Sequence, residues 1–295
     1  MHDVRSRAIR IYDAFTHEHR DRRALLREMT LLAGSAAAAE ALIAAIAASP
    51  AAAQQVPVDD PRLYAHDGAA TVLAGVAFRG YLAAPRQRSK GSLGGVILVH
   101  ENRGLNAHIR DVARRLALAG HQVIAPDFLS PAGGTPADED AAREMIGKLD
   151  LAQSVAACRK LIASLRRYDK TTGRVAIVGF CWGGAMVNRV AVAAGAELSA
   201  GVAYYGPAPD PAQASQVEAA MLLHYAGNDA RVNATGEPWA AALAKAGKTV
   251  EAYSYPGVEH AFNNDTSKER YNAAAAKLAW ERTLAFLRKH LAIPA

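Results

Sequence analysis

The stretch Val175–Gly184 reads V-A-I-V-G-F-C-W-G-G and predicts a buried strand, a tight turn and the start of a helix. In a G-x-nucleophile-x-G elbow, glycines flank a nucleophile on a strained turn, because side chains there would collide with the neighbouring strand or helix. Cys181 stands at the nucleophile position. At a helix N-terminus, free backbone amides favour a thiolate and can hold a developing oxyanion. The alternative is a buried, unreactive cysteine beside a glycine-rich bend.

Length and composition allow one large core. The chain has 295 residues, of which 51% are hydrophobic, a size that is routine for a single α/β domain. The net charge is +6, but lysines and arginines are interspersed with acidic residues, which argues against a nucleic-acid partner. Two cysteines, Cys158 and Cys181, cannot form a disulfide framework, and no Cys/His cluster has the spacing of metal ligands. We expect neither a metal nor an organic cofactor.

Residues 1–53 differ in composition from the rest of the chain. An arginine-rich segment containing Arg22-Arg23 precedes the weakly apolar run Leu31–Ala48, and Ala51-Ala52-Ala53 follows. This order is typical of a twin-arginine export signal cleaved after Ala53 and predicts a periplasmic protein. The run contains Glu40 and makes a poor membrane anchor. Three acidic residues before the run are unusual for a signal: Asp13, Glu18 and Asp21. The alternative is a cytoplasmic protein that keeps residues 1–53 as a helical extension.

From residue 54 onwards, strand patterns alternate with helical patterns. Residues 54–67 read as a lead-in without periodicity, and Thr71–Ala84 reads as an outer hairpin strand ending at Pro85. Buried strands are predicted at Val96–Val99, Val123–Ala125, Val175–Val178, Ala200–Tyr205, Met221–Tyr225 and Thr249–Tyr255. Helical spacing is found at residues 109–117 and 138–167 and in the last segment before residue 291. The alternation predicts one α/β domain over residues 54–295, with a mostly parallel sheet covered by helices on both faces.

Two polar residues follow later strands, at the edge of the sheet where the elbow is expected. Asp229 follows the strand Met221–Tyr225, and His260 follows the next strand. Alone, an aspartate after a glycine is a turn former, and a histidine before Ala-Phe is a buried imidazole. Together, the order Cys181, Asp229, His260 is the nucleophile, acid and base order of an α/β-hydrolase. The sequence therefore predicts a catalytic triad.

Over nearly all of residues 70–291 the chain resembles the dienelactone hydrolase family. The segments that carry the resemblance are Gly179–Gly184, Tyr204–Gly206, Gly227–Asp229, Gly257–Phe262 and the loop containing Glu101. The resemblance implies an α/β-hydrolase fold and hydrolysis of an ester or lactone by a cysteine nucleophile. It also implies an oxyanion hole formed by the backbone amides of Asn102 and Trp182, and a contact between Glu101 and the thiol. We interpret Glu101 as a gate that keeps Cys181 protonated until substrate binds.

Residues that hold the substrate are harder to assign. Family members that open dienelactones use two arginines to hold the substrate carboxylate, and Arg143 resembles one of them. Asn264 stands where the second is expected, which weakens the case for a diacid lactone. Arg103 is a candidate substitute. We expect Tyr204 and Tyr205 to line the pocket, or else to end a strand.

These expectations add up to an α/β-hydrolase that cleaves a small-molecule ester or lactone through a cysteinyl thioester, as a monomer or homodimer. Two alternatives on the same fold are a thiol-sensing redox protein and a ligand binder without catalytic activity.

Overall fold

A computed structural model describes residues 2–17, 20–47, 54–73 and 75–292 of the chain. The strands are β1 (Leu63–Leu73), β2 (Val76–Pro85), β3 (Leu93–Val99), β4 (His121–Pro126), β5 (Thr171–Phe180), β6 (Ala200–Tyr204), β7 (Ala220–Ala226) and β8 (Val250–Tyr255). The helices are α1 (His2–His17), α2 (Arg22–Ala33), α3 (Ala36–Ile46), α4 (Ala107–Leu118), α5 (Glu139–Gly147), α6 (Leu151–Arg167), α7 (Trp182–Ala194), α8 (Ala230–Lys245) and α9 (Ala273–Leu291).

All eight strands form one sheet in the order β1-β2-β4-β3-β5-β6-β7-β8. The pairs β1–β2 and β2–β4 are antiparallel, and the strands from β4 to β8 run parallel. The carboxyl ends of β3, β5, β7 and β8 therefore lie along the same edge of the sheet. The predicted α/β-hydrolase fold, with a mostly parallel sheet between helices, is confirmed.

Burial on both faces explains the unbroken apolar runs of the central strands. In β3, Val96 and Leu98 pack into the core beneath α4 and α9, whereas Ile97 and Val99 pack into the core beneath α6 and α7. Successive side chains of a strand point to opposite faces, so a strand covered on both sides is apolar at every position. Such strands are the ones that the sequence predicts best.

The first strand was not anticipated. The sequence predicts no regular structure over residues 54–67 and one strand over Thr71–Ala84. Both predictions are wrong, because β1 covers Leu63–Leu73 and pairs with a separate antiparallel strand, β2, from Leu63 opposite Pro85 to Leu73 opposite Val76. Along β1, Tyr64, His66 and Asp67 are exposed. Because these side chains are exposed, the first half of this edge strand has little hydrophobic alternation for a sequence reading to detect.

Helices α1, α2 and α3 pack around an apolar cluster of their own. Its buried members are Ala8, Ile9, Tyr12, Phe15, Leu25, Met29, Ala39 and Ile46. Asp21 accepts a hydrogen bond from the Ala24 amide and so caps the N-terminus of α2, which begins at the paired arginines. The predicted cleavage site at Ala51–Ala53 lies outside the described residues.

Helix α3 also contacts the loop between β8 and α9. The Ser267 hydroxyl donates to the carbonyl oxygen of Ile46 at 2.6 Å, and the Glu269 amide donates to that of Ala45. In the part of the chain that the structure describes, no single helix is long and apolar enough to cross a membrane. Helices α2 and α3 reach that length and apolar composition only when they are counted together, and the chain bends by 109° between them.

Candidate active site

Cys181 lies on the turn between β5 and α7, as the elbow pattern predicts. Its φ of +55° is a left-handed conformation that non-glycine residues rarely adopt, and its amide donates to the carbonyl oxygen of Tyr204 at 3.0 Å. A Cβ on Gly184 would lie 2.6 Å from that same carbonyl oxygen, so only glycine fits there. The helix α7 can thus pack closely against the sheet and hold the strained turn in place.

His260 and Asp229 come from the loops after β8 and β7. His260 Nδ1 lies 2.5 Å from Asp229 Oδ2, while Asp229 Oδ1 accepts the amide of Val232 and caps α8. The Cys181 side chain also acts on the imidazole of His260 electrostatically. The side chains of His260 and Asp229 are only 2% and 6% exposed. The structure therefore joins two of the three predicted residues, Asp229 and His260, by a buried hydrogen bond, and Cys181 is buried as well.

Charge around His260 decides its protonation state. Burial alone would lower the pKa of the imidazole, but the charges of Asp229 and Cys181, with the hydrogen bond to Asp229, raise that pKa to about 10. For Asp229, burial would raise the carboxyl pKa, but the positive charge of His260 leaves it below its ordinary value. At neutral pH, His260 is therefore an imidazolium held by a carboxylate.

The loop after β3 is held beside the elbow by His100. Its Nδ1 lies 2.7 Å from the carbonyl oxygen of Glu101, and its Nε2 accepts the amide of Phe128 at 3.3 Å. Burial lowers the pKa of His100, which fits a neutral ring that donates on one side and accepts on the other. The ring stacks on Trp182 with centroids 5.3 Å apart. These contacts join the two segments that carry the predicted oxyanion-hole amides, Asn102 and Trp182.

Glu101 is buried and has two hydrogen-bond donors. The Tyr205 hydroxyl donates to Oε1 at 3.3 Å, and the Asn264 amide donates to Oε2 at 2.8 Å. Burial, followed by the negative charges of Glu101 and Cys181, raises the pKa of Tyr205 well above its usual value, so its hydroxyl remains a donor. Sequence reasoning noted Asn264 only as a missing arginine. Its contact with Glu101 joins residues 163 positions apart, which no local pattern signals.

A cavity of about 330 Å³ opens beside the thiol. Its lining includes Cys181, Asn102 and Trp182 together with three arginines, Arg143, Arg189 and Arg231. Neither Arg189 nor Arg231 was anticipated. A larger cavity, about 530 Å³, lies between β2 and α6 and contains no triad residue, so we take the smaller one as the substrate site.

The predicted substrate-binding residues have different positions. Arg143 lines the cavity, but its guanidinium donates to the carbonyl oxygen of Phe15 at 3.0 Å. Arg103 is absent from the lining of this cavity and binds Glu139 and the Tyr12 hydroxyl instead. Arg103 therefore contacts the N-terminal helices rather than the space beside the thiol.

The two tyrosines that were predicted to line the pocket lie in different places. The Tyr205 ring lies against that of His260, with centroids 5.0 Å apart. The Tyr204 hydroxyl lies 2.6 Å from the Thr283 hydroxyl on α9, within the core. A pocket position for Tyr204 is therefore wrong, because this last residue of β6 points to the face of the sheet that α9 covers.

Helix α1 forms part of the wall of this cavity. Thr16 lines the cavity beside Cys181, and its carbonyl oxygen accepts the side-chain amide of Asn102 at 3.2 Å. Nothing in the sequence pairs residue 16 with this loop. Within residues 2–17, 20–47, 54–73 and 75–292, no group of three or more His, Cys, Asp or Glu side chains is arranged to hold a metal ion.

Comparisons with known proteins agree with this architecture. The model of the dienelactone hydrolase family matches residues 78–291. An Escherichia coli (strain K12) protein named "Putative carboxymethylenebutenolidase" is 33% identical over 224 residues, which cover 71% of this chain and 82% of that relative. A protein of the same name from Saccharolobus solfataricus is 29% identical over 251 residues, covering 73% of this chain and 95% of the relative.

A solved structure titled "Putative Dienelactone Hydrolase" from Klebsiella pneumoniae superimposes with a TM-score of 0.68 at 30% identity. The superposition covers 77% of this chain and 99% of the Klebsiella chain. The extent of the family match, the sheet order and the similarity to these relatives lead to one conclusion: the chain belongs to the dienelactone hydrolase family and is a carboxylic ester or lactone hydrolase.

Proposed function

We propose that this hydrolase acts through Cys181 as nucleophile, His260 as proton carrier and Asp229 as the group that orients His260. The observation that carries the proposal is the buried hydrogen bond between Asp229 and His260, together with the electrostatic interaction of His260 with Cys181 and the position of Cys181 at the N-terminus of α7. A thiol next to an imidazolium and a helix N-terminus can ionise to the thiolate, which is the reactive form, once substrate displaces Glu101.

The reaction proceeds in two halves. The Cys181 thiolate adds to the ester or lactone carbonyl, and His260 gives its proton to the departing alkoxide, which leaves a thioester on Cys181. His260 is then neutral and takes a proton from water, which adds to the thioester. The tetrahedral intermediate formed by this addition then breaks its C–S bond, which releases the carboxylic acid and restores the Cys181 thiolate. A lactone opens in the first half, and its alcohol stays attached to the acyl group.

The backbone amides of Asn102 and Trp182 are proposed to stabilise the oxyanion in both halves. Both residues line the cavity together with Cys181, which supports this assignment. One such preorganised donor contributes about 3 kcal/mol to the transition state.

Glu101 is proposed to be the gate that disfavours the Cys181 thiolate until substrate enters. A buried carboxylate near a thiol raises the cost of ionising it. Support comes from Tyr205, whose hydroxyl donates to Glu101 and which also interacts electrostatically with Cys181. A contact between Glu101 and the sulfur stays a prediction.

The substrate is proposed to be a small ester or lactone. The volume of the cavity, about 330 Å³, suits a small molecule. Arg143 and Tyr205 are proposed to contact the bound substrate, Arg143 from the cavity wall and Tyr205 from its position beside His260.

The chain offers a matched pair of cysteines to test the nucleophile. We expect Cys181→Ala to lower kcat/KM for p-nitrophenyl acetate at least about 1,000-fold, because no other group forms the acyl-enzyme. Cys158 is fully buried in α6, and burial raises its pKa to about 12, so Cys158→Ala should keep the activity. Undiminished turnover by Cys181→Ala, or loss of turnover only in Cys158→Ala, would refute the assignment.

A further inference from the structure

The side chain of His100 holds one peptide unit of the loop after β3. His100 is fully buried, and its Nδ1 lies 2.7 Å from the carbonyl oxygen of Glu101. Because a carbonyl oxygen only accepts, Nδ1 carries the proton, and Nε2 is left to accept the amide of Phe128 at 3.3 Å. The two hydrogen bonds, one at each ring nitrogen, therefore set both the tautomer and the orientation of the imidazole.

The peptide unit that His100 holds also contains the amide of Asn102. The carbonyl group of Glu101 and the N–H group of Asn102 lie in one plane and, in a trans peptide, point in opposite directions. A hydrogen bond that fixes the carbonyl group therefore also fixes the direction of the N–H group. Asn102 lines the cavity beside Cys181, and among the described residues its backbone amide has no hydrogen-bond acceptor. This amide is thus available to a group bound in the cavity.

The same ring lies against the other residue of the proposed oxyanion hole. The imidazole stacks on the indole of Trp182, with an angle of 16° between the planes and centroids 5.3 Å apart. A Cβ on Gly183 would lie 2.6 Å from the carbonyl oxygen of His100, so the first turn of α7 packs against the backbone of this residue as well. His100 thus fixes the peptide unit of Asn102 relative to the start of α7.

Building on the proposed hydrolase function, we propose that His100 is a positioning residue for the oxyanion hole. Its Nδ1–H group holds the peptide unit between Glu101 and Asn102 so that the amides of Asn102 and Trp182 converge on one oxyanion. The hydrogen bond to the carbonyl oxygen also polarises the peptide unit and makes its N–H group a stronger donor. His100 itself acts through this peptide and not by contact with the substrate.

Two substitutions at position 100 separate the hydrogen bond from the packing of the ring. His100→Asn keeps a donor, because its Nδ2 is bonded to Cγ just as the imidazole Nδ1 is, but it loses the stacking on Trp182. His100→Phe keeps an aromatic ring and loses the donor. With p-nitrophenyl acetate, we expect His100→Phe to lower kcat at least about 30-fold and to keep KM within about threefold, because the oxyanion forms in both halves of the reaction. His100→Asn should keep kcat within about fivefold.

Alkylation of Cys181 by iodoacetamide is a second measurement, in which no oxyanion forms. The sulfur displaces iodide from a saturated carbon, so Cys181 in His100→Phe should react within about threefold of the rate in the unaltered chain. The matched control is His121→Phe. His121 is also buried, but it lies at the amino end of β4, away from the loops that carry the site, so this variant should keep kcat within about twofold.

The outcomes that overturn the proposal differ from those that refute the nucleophile. An undiminished kcat in His100→Phe, or an equal loss in His100→Asn or His121→Phe, overturns it, because the donor at position 100 would then have no special effect. Alkylation of Cys181 that slows in His100→Phe by the same factor as kcat also overturns it, because the elbow itself would then have changed. Full activity in Cys181→Ala would refute the proposed nucleophile instead, so the two failures are distinguishable.

Discussion

At the scale of single residues, His260 is the group that we propose as proton carrier. The sequence places it after a strand and before Ala-Phe, which is equally compatible with a catalytic base and with a buried structural histidine. The structure adds its partners, Asp229 and Cys181, which together raise the pKa of the imidazole to about 10 despite its burial. Such a shift depends on charges that meet only after folding, so it lies beyond what a sequence pattern can predict.

The raised pKa has a consequence for stability. The folded-state pKa of about 10 is above the ordinary value of 6.5, so proton binding to His260 stabilises the folded state. That contribution is fully present below pH of about 6.5 and is lost as the pH rises through about 10. We expect the difference in unfolding free energy between the unaltered chain and His260→Gln, measured in urea, to shrink over this range. A difference that stays constant with pH would contradict the assigned pKa.

At the scale of elements, the sequence predicts best what both faces of the sheet bury. Strands β3 to β7 and the elbow at Cys181 follow from apolar runs and glycines that short windows of sequence contain. The edge strand β1 was missed because exposed residues such as His66 and Asp67 blur its alternation. Tyr204 was misplaced because neighbouring residues at a strand end point to opposite faces, and the pattern does not say which one faces the pocket.

The packing of α7 against the sheet predicts an unusual effect of one substitution. In an ordinary helix, replacing glycine with alanine stabilises the fold by up to about 1 kcal/mol. A Cβ at Gly184 would collide with the carbonyl oxygen of Tyr204, so Gly184→Ala should instead destabilise by about 1 to 3 kcal/mol. It should also lower kcat/KM, because the turn at Cys181 moves with α7. Urea unfolding of the two proteins measures the sign, and a gain in stability would contradict the close packing.

At the scale of the whole molecule, the N-terminal helices lie against the active site and contact its loops. Arg103, Arg143 and Asn102 all contact α1, and the first two were expected to bind substrate. The resemblance that identified these residues covers residues 70–291 and is silent about α1. These long-range contacts with α1 therefore could not be predicted from the sequence.

These contacts bear on the fate of residues 1–53, for which two predictions stand: a cleaved export signal and a retained extension. We propose that the segment is retained, because α1 lines the cavity through Thr16 and packs on Arg143. N-terminal sequencing of the protein purified from its native cells should then find the first residues of α1. A mature chain that begins at Gln54 and is recovered from the periplasm would contradict retention and support export.

The proposed mechanism requires Cys181 to carry the acyl group during turnover. The measurement that tests it most directly is acid quenching of the enzyme with p-nitrophenyl acetate before the steady state, followed by peptide mass spectrometry. We expect one acetyl group on the peptide that contains Cys181, bound as a thioester that hydroxylamine removes. An acetyl group on any other residue, with Cys181 unmodified while p-nitrophenol is released, would contradict it.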